Sequence, residues 1–419
     1  MERESLAFVM VGHVDHGKST LIGRLLYDTH SLPEGKIEEL EAAARAEGRE
    51  LEFGFVTDHL REERQRAMTI DTAQTFFSGL SRDYVIIDAP GHRELIKNMI
   101  TGASQAEAAV LILSVAEGVQ EQTKRHAYVV RLLGIEQLVV AYNKMDLVGC
   151  SRQRFQEVKR DMDEFLGRIG LLPQLDVPIS ARRGDNVVER SDDMPWYKGP
   201  TLLEALDTFR KIPPPTEKPL RFPVQDVYPW SGPEADHIAV GRVESGRLRA
   251  SQRLRFVPGE QLRTVRAIKQ YGEPDLAEAE AGQCVGVILD EDGLRRGQVG
   301  CPADDMVRAA RRFHASVFWL APVPLEVGGS HRRALTIKCA TQEQPCCVAA
   351  LDERIDSSTL ERLPAQENRL QETEVGQVVI ETAEPVVVES FYDVQELGRF
   401  VLVRGRDVVA GGIVTRAEG

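Results

Sequence analysis

The chain has 419 residues, 42% of them apolar and 28% charged, with a formal net charge of −13. That length suggests roughly two to four domains, each able to bury its own core, and no apolar run approaches the ~20 residues of a membrane span. The acidic balance argues against broad binding to DNA, which needs phosphate neutralisation. The opening residues, Met1-Glu2-Arg3-Glu4-Ser5, lack the apolar core of a signal peptide, so the cytoplasm is the expected location. The six cysteines have no metal-ligand spacing and read as reduced thiols, Cys346-Cys347 being the only adjacent pair.

The first predicted element is an apolar strand over residues 7–11. It runs into Gly12-His13-Val14-Asp15-His16-Gly17-Lys18-Ser19, and a helical pattern begins at Thr20 and continues to residue 27. The spacing fits the phosphate-binding pattern G-x-x-x-x-G-K-[ST]. A strand, a glycine-bounded loop and a helix N-terminus form an anion site, because the loop amides point inward and the helix dipole favours negative charge. Lys18 is expected to reach the β- and γ-phosphates, and the Ser19 hydroxyl to bind Mg²⁺. A metal cluster of His13, Asp15 and His16 is a weaker reading, since such a loop aims amides rather than imidazoles at its ligand.

The segment 28–71 contains one helical stretch, 36–50, with Ile37, Leu40 and Ala44 on one face. Thr69 follows it. A threonine beside bound Mg²⁺ completes the metal shell only when a γ-phosphate is present, which makes its loop a switch. The plainer alternative is that Thr69 merely opens a strand over 69–77. A strand candidate over 84–87 ends in Asp88-Ala89-Pro90-Gly91-His92. Asp88 is expected to hold Mg²⁺ through water, and Gly91 to let backbone approach a terminal phosphate. His92 then stands where an imidazole could orient the attacking water.

Strand candidates at 109–115, 138–141 and 177–179 alternate with helical patterns at 94–102, 122–133, 154–169 and 201–209. This alternation predicts a mostly parallel sheet with ligands beyond the carboxyl ends of its strands. The 138–141 strand leads to Asn143-Lys144-Met145-Asp146. A carboxylate at Asp146 can accept parallel hydrogen bonds from the guanine ring N–H and exocyclic amine, which adenine lacks. An unpaired buried acceptor costs several kcal/mol, so the base is selected strongly. The Lys144 stem can lie over the base plane. Ser180-Ala181 ends the next strand and could meet the guanine carbonyl through backbone N–H.

Pro213-Pro214-Pro215 stops the last helix and stiffens a linker. Short strand candidates then follow at 220–227, 239–243, 253–256, 265–268 and 285–289. Others lie at 313–318, 333–338, 346–350, 375–381, 386–389 and 399–403, which together read as two barrels. The expected organisation is an α/β phosphate-loop domain over 1–213 followed by all-β barrels over 218–305 and 306–419. Arg242, Arg247, Arg249, Arg253 and Arg255 cluster in sequence and read as solvated strand and turn positions.

These five nucleotide elements, in this order and ahead of two β-rich segments, resemble the translational GTPases of the elongation-factor Tu and one-alpha type. The resemblance covers essentially the whole chain and implies GTP and Mg²⁺ as cofactors. It extends to a subgroup that includes the GTPase subunit of bacterial sulfate adenylyltransferase. Gly184-Asp185-Asn186-Val187, Met194-Pro195-Trp196-Tyr197 and Gly199-Pro200-Thr201-Leu202-Leu203-Glu204 look like that subunit. So do Val317-Phe318-Trp319-Leu320 and Leu335-Thr336-Ile337-Lys338. His13, His16, Glu389-Ser390-Phe391 and Leu397-Gly398-Arg399-Phe400 look more like elongation factor one-alpha.

The resemblance implies that His92 is the catalytic histidine, flanked by Val14 and Met68. It implies GTP contacts from Gly12 through Thr20 and from Asp88, Gly91, Asn143, Lys144, Asp146, Ser180 and Ala181, with Ser19, Thr69 and Asp88 on the metal. Its first functional expectation is a GTP-hydrolysing regulatory subunit of ATP sulfurylase, whose partner is a separate catalytic adenylyltransferase subunit in a heteromeric complex. The alternative is a translation GTPase that delivers aminoacyl-tRNA or a release factor to the ribosome.

Overall fold

A computed structural model of the chain describes residues 4–32, 35, 53, 74–88, 106–213, 215–230, 237–328, 335–364 and 368–418. It divides into two compact units, Met1–Lys211 with Ser357–Thr359, and Ile212–Asp356 with Leu360–Gly419. The architecture is an α/β domain with a mostly parallel sheet, then two β-barrels.

In the first unit the strands are β1 (Ser5–Gly12), β2 (Gln74–Ser78), β3 (Asp83–Asp88), β4 (Ala108–Ser114), β5 (Leu138–Asn143) and β6 (Leu175–Pro178), in the order β2-β3-β1-β4-β5-β6. All neighbours are parallel except the antiparallel edge strand β2. Every residue of β4 and β5 is buried. Strands covered on both faces need continuous apolar runs, which is why both stood out in the sequence. The helices are α1 (Lys18–Asp28), α2 (Glu121–Leu132), α3 (Arg152–Arg168) and α4 (Leu202–Leu206). None of the described helices is long and apolar enough to cross a membrane.

Local chemistry fixes the helix starts. Ser151 caps α3 by accepting the Arg154 N–H at 3.3 Å. Thr201 and Glu204 form a reciprocal capping box on α4. Helix α1 starts at Lys18, two residues before the expected Thr20, so the lysine and serine of the loop already lie on its first turn.

The second unit is all β. Strands Phe222–Pro229, His237–Arg242, Arg253–Val257, Gln261–Lys269, Cys284–Leu289 and Val299–Pro302 close an antiparallel barrel. Phe222, Phe256, Val285 and Val287 fill it. A second ring contains Ala309–Trp319, Leu335–Cys339, Gln342–Asp356, Glu374–Val387, Arg399–Arg404 and Asp407–Glu418. It closes through the pairing of Leu335–Cys339 with Gln342–Asp356, around Phe313, Trp319 and Leu402.

One strand of the first barrel and a separate two-stranded ribbon escaped the sequence reading. Val299–Pro302 seals the barrel, yet its four residues include a glycine and a proline. A ribbon of Arg247–Arg249 against Glu278–Glu280 pairs Glu280 with Arg247 and Glu278 with Arg249. Cross-strand charge pairs stabilise it in place of apolar alternation. The clustered arginines are therefore largely neutralised: Arg247 lies 3.1 Å from Glu278, and Arg255 lies 2.6 Å from Glu260.

Candidate nucleotide-binding site

The described motifs gather at the carboxyl ends of β1, β3 and β5 and in the loop after β6. The two neighbours of β1 are β3 and β4, so the chain order reverses at β1 and opens a crevice there.

The loop after β1 is shaped by two glycines. Gly12 pairs in register with Ile112, and a Cβ on it would meet the Ile112 carbonyl oxygen at 2.2 Å. Gly17 has φ 93°, and a Cβ there would meet Asn143 Nδ2 at 2.4 Å. No L side chain fits either place. Lys18 is buried and curls back over the loop, its ammonium donating to the Gly12 carbonyl at 2.7 Å and the His13 carbonyl at 3.0 Å. Val14, Ser19 and Thr20 are half-buried and Asp15 is exposed.

The loop histidines serve the protein's own interior. His13 Nδ1 is 2.8 Å from Gln122 Oε1 of α2, and its ring meets His16 edge-on at 5.0 Å. His16 is fully buried, and burial lowers its pKa to about 4, so the imidazole is neutral near pH 7.

Asn143 joins three separate segments. Its Nδ2 donates to the His16 carbonyl at 2.8 Å, and its Oδ1 accepts the Ala181 N–H at 2.9 Å. The side chain is buried, so both ends are satisfied by backbone rather than water. Asp146 Oδ1 accepts the Ser180 hydroxyl at 2.7 Å, which orients the carboxylate. The Ser180 turn is closed by the Gly184 N–H on the Ser180 carbonyl at 2.7 Å. Lys144 takes a left-handed backbone, φ 64°, and its ammonium donates to Glu117 Oε1 at 2.9 Å. The structure thus brings Gly12–Ser19, Asn143–Asp146 and Ser180-Ala181 together.

Asp88 lies at the end of β3, buried, opposite Met10 of β1. Ser19 sits on the first turn of α1. A hydroxyl and a carboxylate are hard oxygen donors, suited to Mg²⁺. Thr69, Gly91, His92 and Met68 lie outside the described residues. Sequence reasoning missed Glu117 and Gln122, because neither belongs to a motif and each acquires meaning only through a partner distant in sequence.

Comparison with known proteins gives two family matches. Residues 3–212 match the family described as elongation factor Tu GTP binding domain, and residues 312–415 match GTP-eEF1A C-terminal domain-like. The chain is 39% identical over 432 residues to elongation factor 1-alpha of Pyrococcus woesei, covering 100% of this chain and 99% of that protein. It is 40% identical over 444 residues to elongation factor 1-alpha of Methanopyrus kandleri, with 100% and 99% covered. A solved structure of sup35 complexed with GMPPNP is 27% identical, with 100% of this chain and 95% of that chain covered and a TM-score of 0.45.

Proposed function

The chain belongs to the translational GTPases of the elongation factor Tu and one-alpha type, whose cofactors are GTP and Mg²⁺, and from this premise we propose that it is a cytoplasmic GTP-gated carrier that hydrolyses GTP and delivers aminoacyl-tRNA or a release factor to the ribosome. The elongation-factor names of the relatives favour delivery over sulfate activation. In the proposal, aminoacyl-tRNA and the ribosome therefore replace the expected adenylyltransferase subunit as partners.

The observation that carries the nucleotide part is the Asn143 bridge. One buried amide holds the His16 carbonyl of the phosphate loop and the Ala181 N–H of the loop beside Asp146. Base pocket and phosphate loop thereby become one rigid surface, which lowers the ordering cost of binding. In this reading the amides from Gly12 to Thr20 cradle the phosphates, and Lys18 exchanges its loop carbonyls for the β- and γ-phosphates. Asp146, oriented by Ser180, takes the two guanine donors, while the Ala181 N–H expected on the guanine carbonyl is instead donated to Asn143 Oδ1. Ser19 and Asp88, with Thr69, would hold Mg²⁺, which supplies charge neutralisation on the terminal phosphates. Gly91 and His92 complete the reading, His92 orienting water near the γ-phosphate.

Base recognition is tested by measuring dissociation constants for GTP and XTP with the wild type and Asp146→Asn. Xanthine replaces the exocyclic amine with a carbonyl, which an amide side chain can serve as donor. The variant should weaken GTP by at least about tenfold and gain affinity for XTP. Unchanged GTP selectivity would remove Asp146 from base recognition.

A further inference from the structure

Glu117 belongs to none of the motifs above, yet its carboxylate stands between two of them. It lies in the turn after β4, and that turn is held from several sides. The Gly118 N–H donates to the Ser114 carbonyl at 2.9 Å, and Gln120 Nε2 donates to the Glu117 carbonyl at 2.9 Å. From α3, Arg154 Nε donates to the Val115 carbonyl at 3.0 Å. A side chain rising from so constrained a turn has a fixed starting point.

That side chain meets Lys144 and His16. Glu117 Oε1 accepts the Lys144 ammonium at 2.9 Å, while Oε2 lies 3.7 Å from His16 Nε2. The hydrogen bond from Lys144 is the main cause that holds the Glu117 carboxyl below its ordinary range. His16 is neutral, so the charge pair is with Lys144 alone and His16 contributes a polar neighbour. Lys144 has a flexible four-carbon stem whose rotamer freedom opposes any single placement. Its left-handed backbone fixes where the stem begins, and Glu117 fixes where it ends.

We propose that Glu117 is a positioning residue that holds the Lys144 stem flat for the guanine ring. The inference rests on the guanine reading of Asn143–Asp146. Glu117 touches no part of the nucleotide in this account and acts through Lys144. Its side chain is 40% exposed and that of Lys144 25%, so the pair is partly screened and the effect is a modest one.

The experiment uses the full chain loaded with GDP carrying a fluorescent ribose label, and reads the release rate. Glu117→Gln should speed release about fivefold, with the difference shrinking at high salt. Glu117→Asp should recover part of the loss, and the thermal midpoint should stay within about 2 °C of wild type in both. In a Lys144→Ala background, Glu117→Gln should add less than about twofold. The proposal is overturned if Glu117→Gln releases the nucleotide at the wild-type rate. It is also overturned if the fivefold effect persists undiminished without Lys144, because Glu117 would then act through the turn alone. A wild type that binds no guanine nucleotide would instead overturn the reading on which the proposal rests.

Discussion

Glu244 holds its proton to near-neutral pH. Burial raises its pKa to about 7, and the charge of Glu396 adds to the shift, while Arg242 and Arg399 oppose it without winning. The sign of the linkage follows from the folded pKa lying above the unfolded value. The folded state keeps the proton, so its contribution to stability is complete below about pH 4.5 and is lost as pH rises through about 7. Glu244→Gln mimics the protonated form. Its unfolding midpoint should match wild type at pH 4 and exceed it at pH 8. Equal differences at both pH values would show that the carboxyl titrates normally. Nothing in the sequence marked Glu244, because its behaviour depends on residues about 150 positions away.

Among elements, the legible parts were those where local chemistry and function coincide. The phosphate loop needs glycine at Gly12 and Gly17 for steric reasons, and those reasons leave a fixed spacing in the sequence. Strands β4 and β5 announced themselves by continuous burial. The arginine–glutamate ribbon did not, because its pattern is charge against charge across two strands. The residues that suggested the sulfate-activating subunit serve internal contacts. Trp196 donates to the Cys150 carbonyl at 2.9 Å, Asn186 to the Pro178 carbonyl at 2.9 Å, and Trp319 to the Val323 carbonyl at 3.0 Å. For Trp196, Asn186 and Trp319 the fold alone accounts for the residue.

The two barrels are joined by Arg221, which is 3% exposed. Its guanidinium donates to Glu389 Oε1 at 2.9 Å and to Asp305 Oδ2 at 2.8 Å. Removing the cation leaves two half-buried acids without their counter-charge. Arg221→Met should cost about 3–5 kcal/mol in chemical denaturation of the β unit. Arg221→Lys should recover only part, because an ammonium cannot reproduce the forked contact. A loss below about 1 kcal/mol for the methionine variant would mean the junction is held by apolar packing instead.

At the scale of the whole molecule, the chain carries a GTP-binding α/β domain followed by two β-barrels. The α/β domain with its parallel sheet, and the two barrels after it, were readable from periodicity and turn chemistry. The use to which GTP is put was not, since the resemblance supported two partners. The comparisons moved the balance toward delivery to the ribosome. The central claim is that GTP, and not GDP, equips the chain to hold an aminoacyl-tRNA. Its most direct test is the rate at which the aminoacyl ester hydrolyses in solution with the chain in each nucleotide state. The GTP-loaded chain should slow ester hydrolysis severalfold, while the GDP-loaded chain should leave it at the rate of free aminoacyl-tRNA. Equal rates in both states, with GTP-dependent formation of adenylyl sulfate by a co-purified partner, would contradict it.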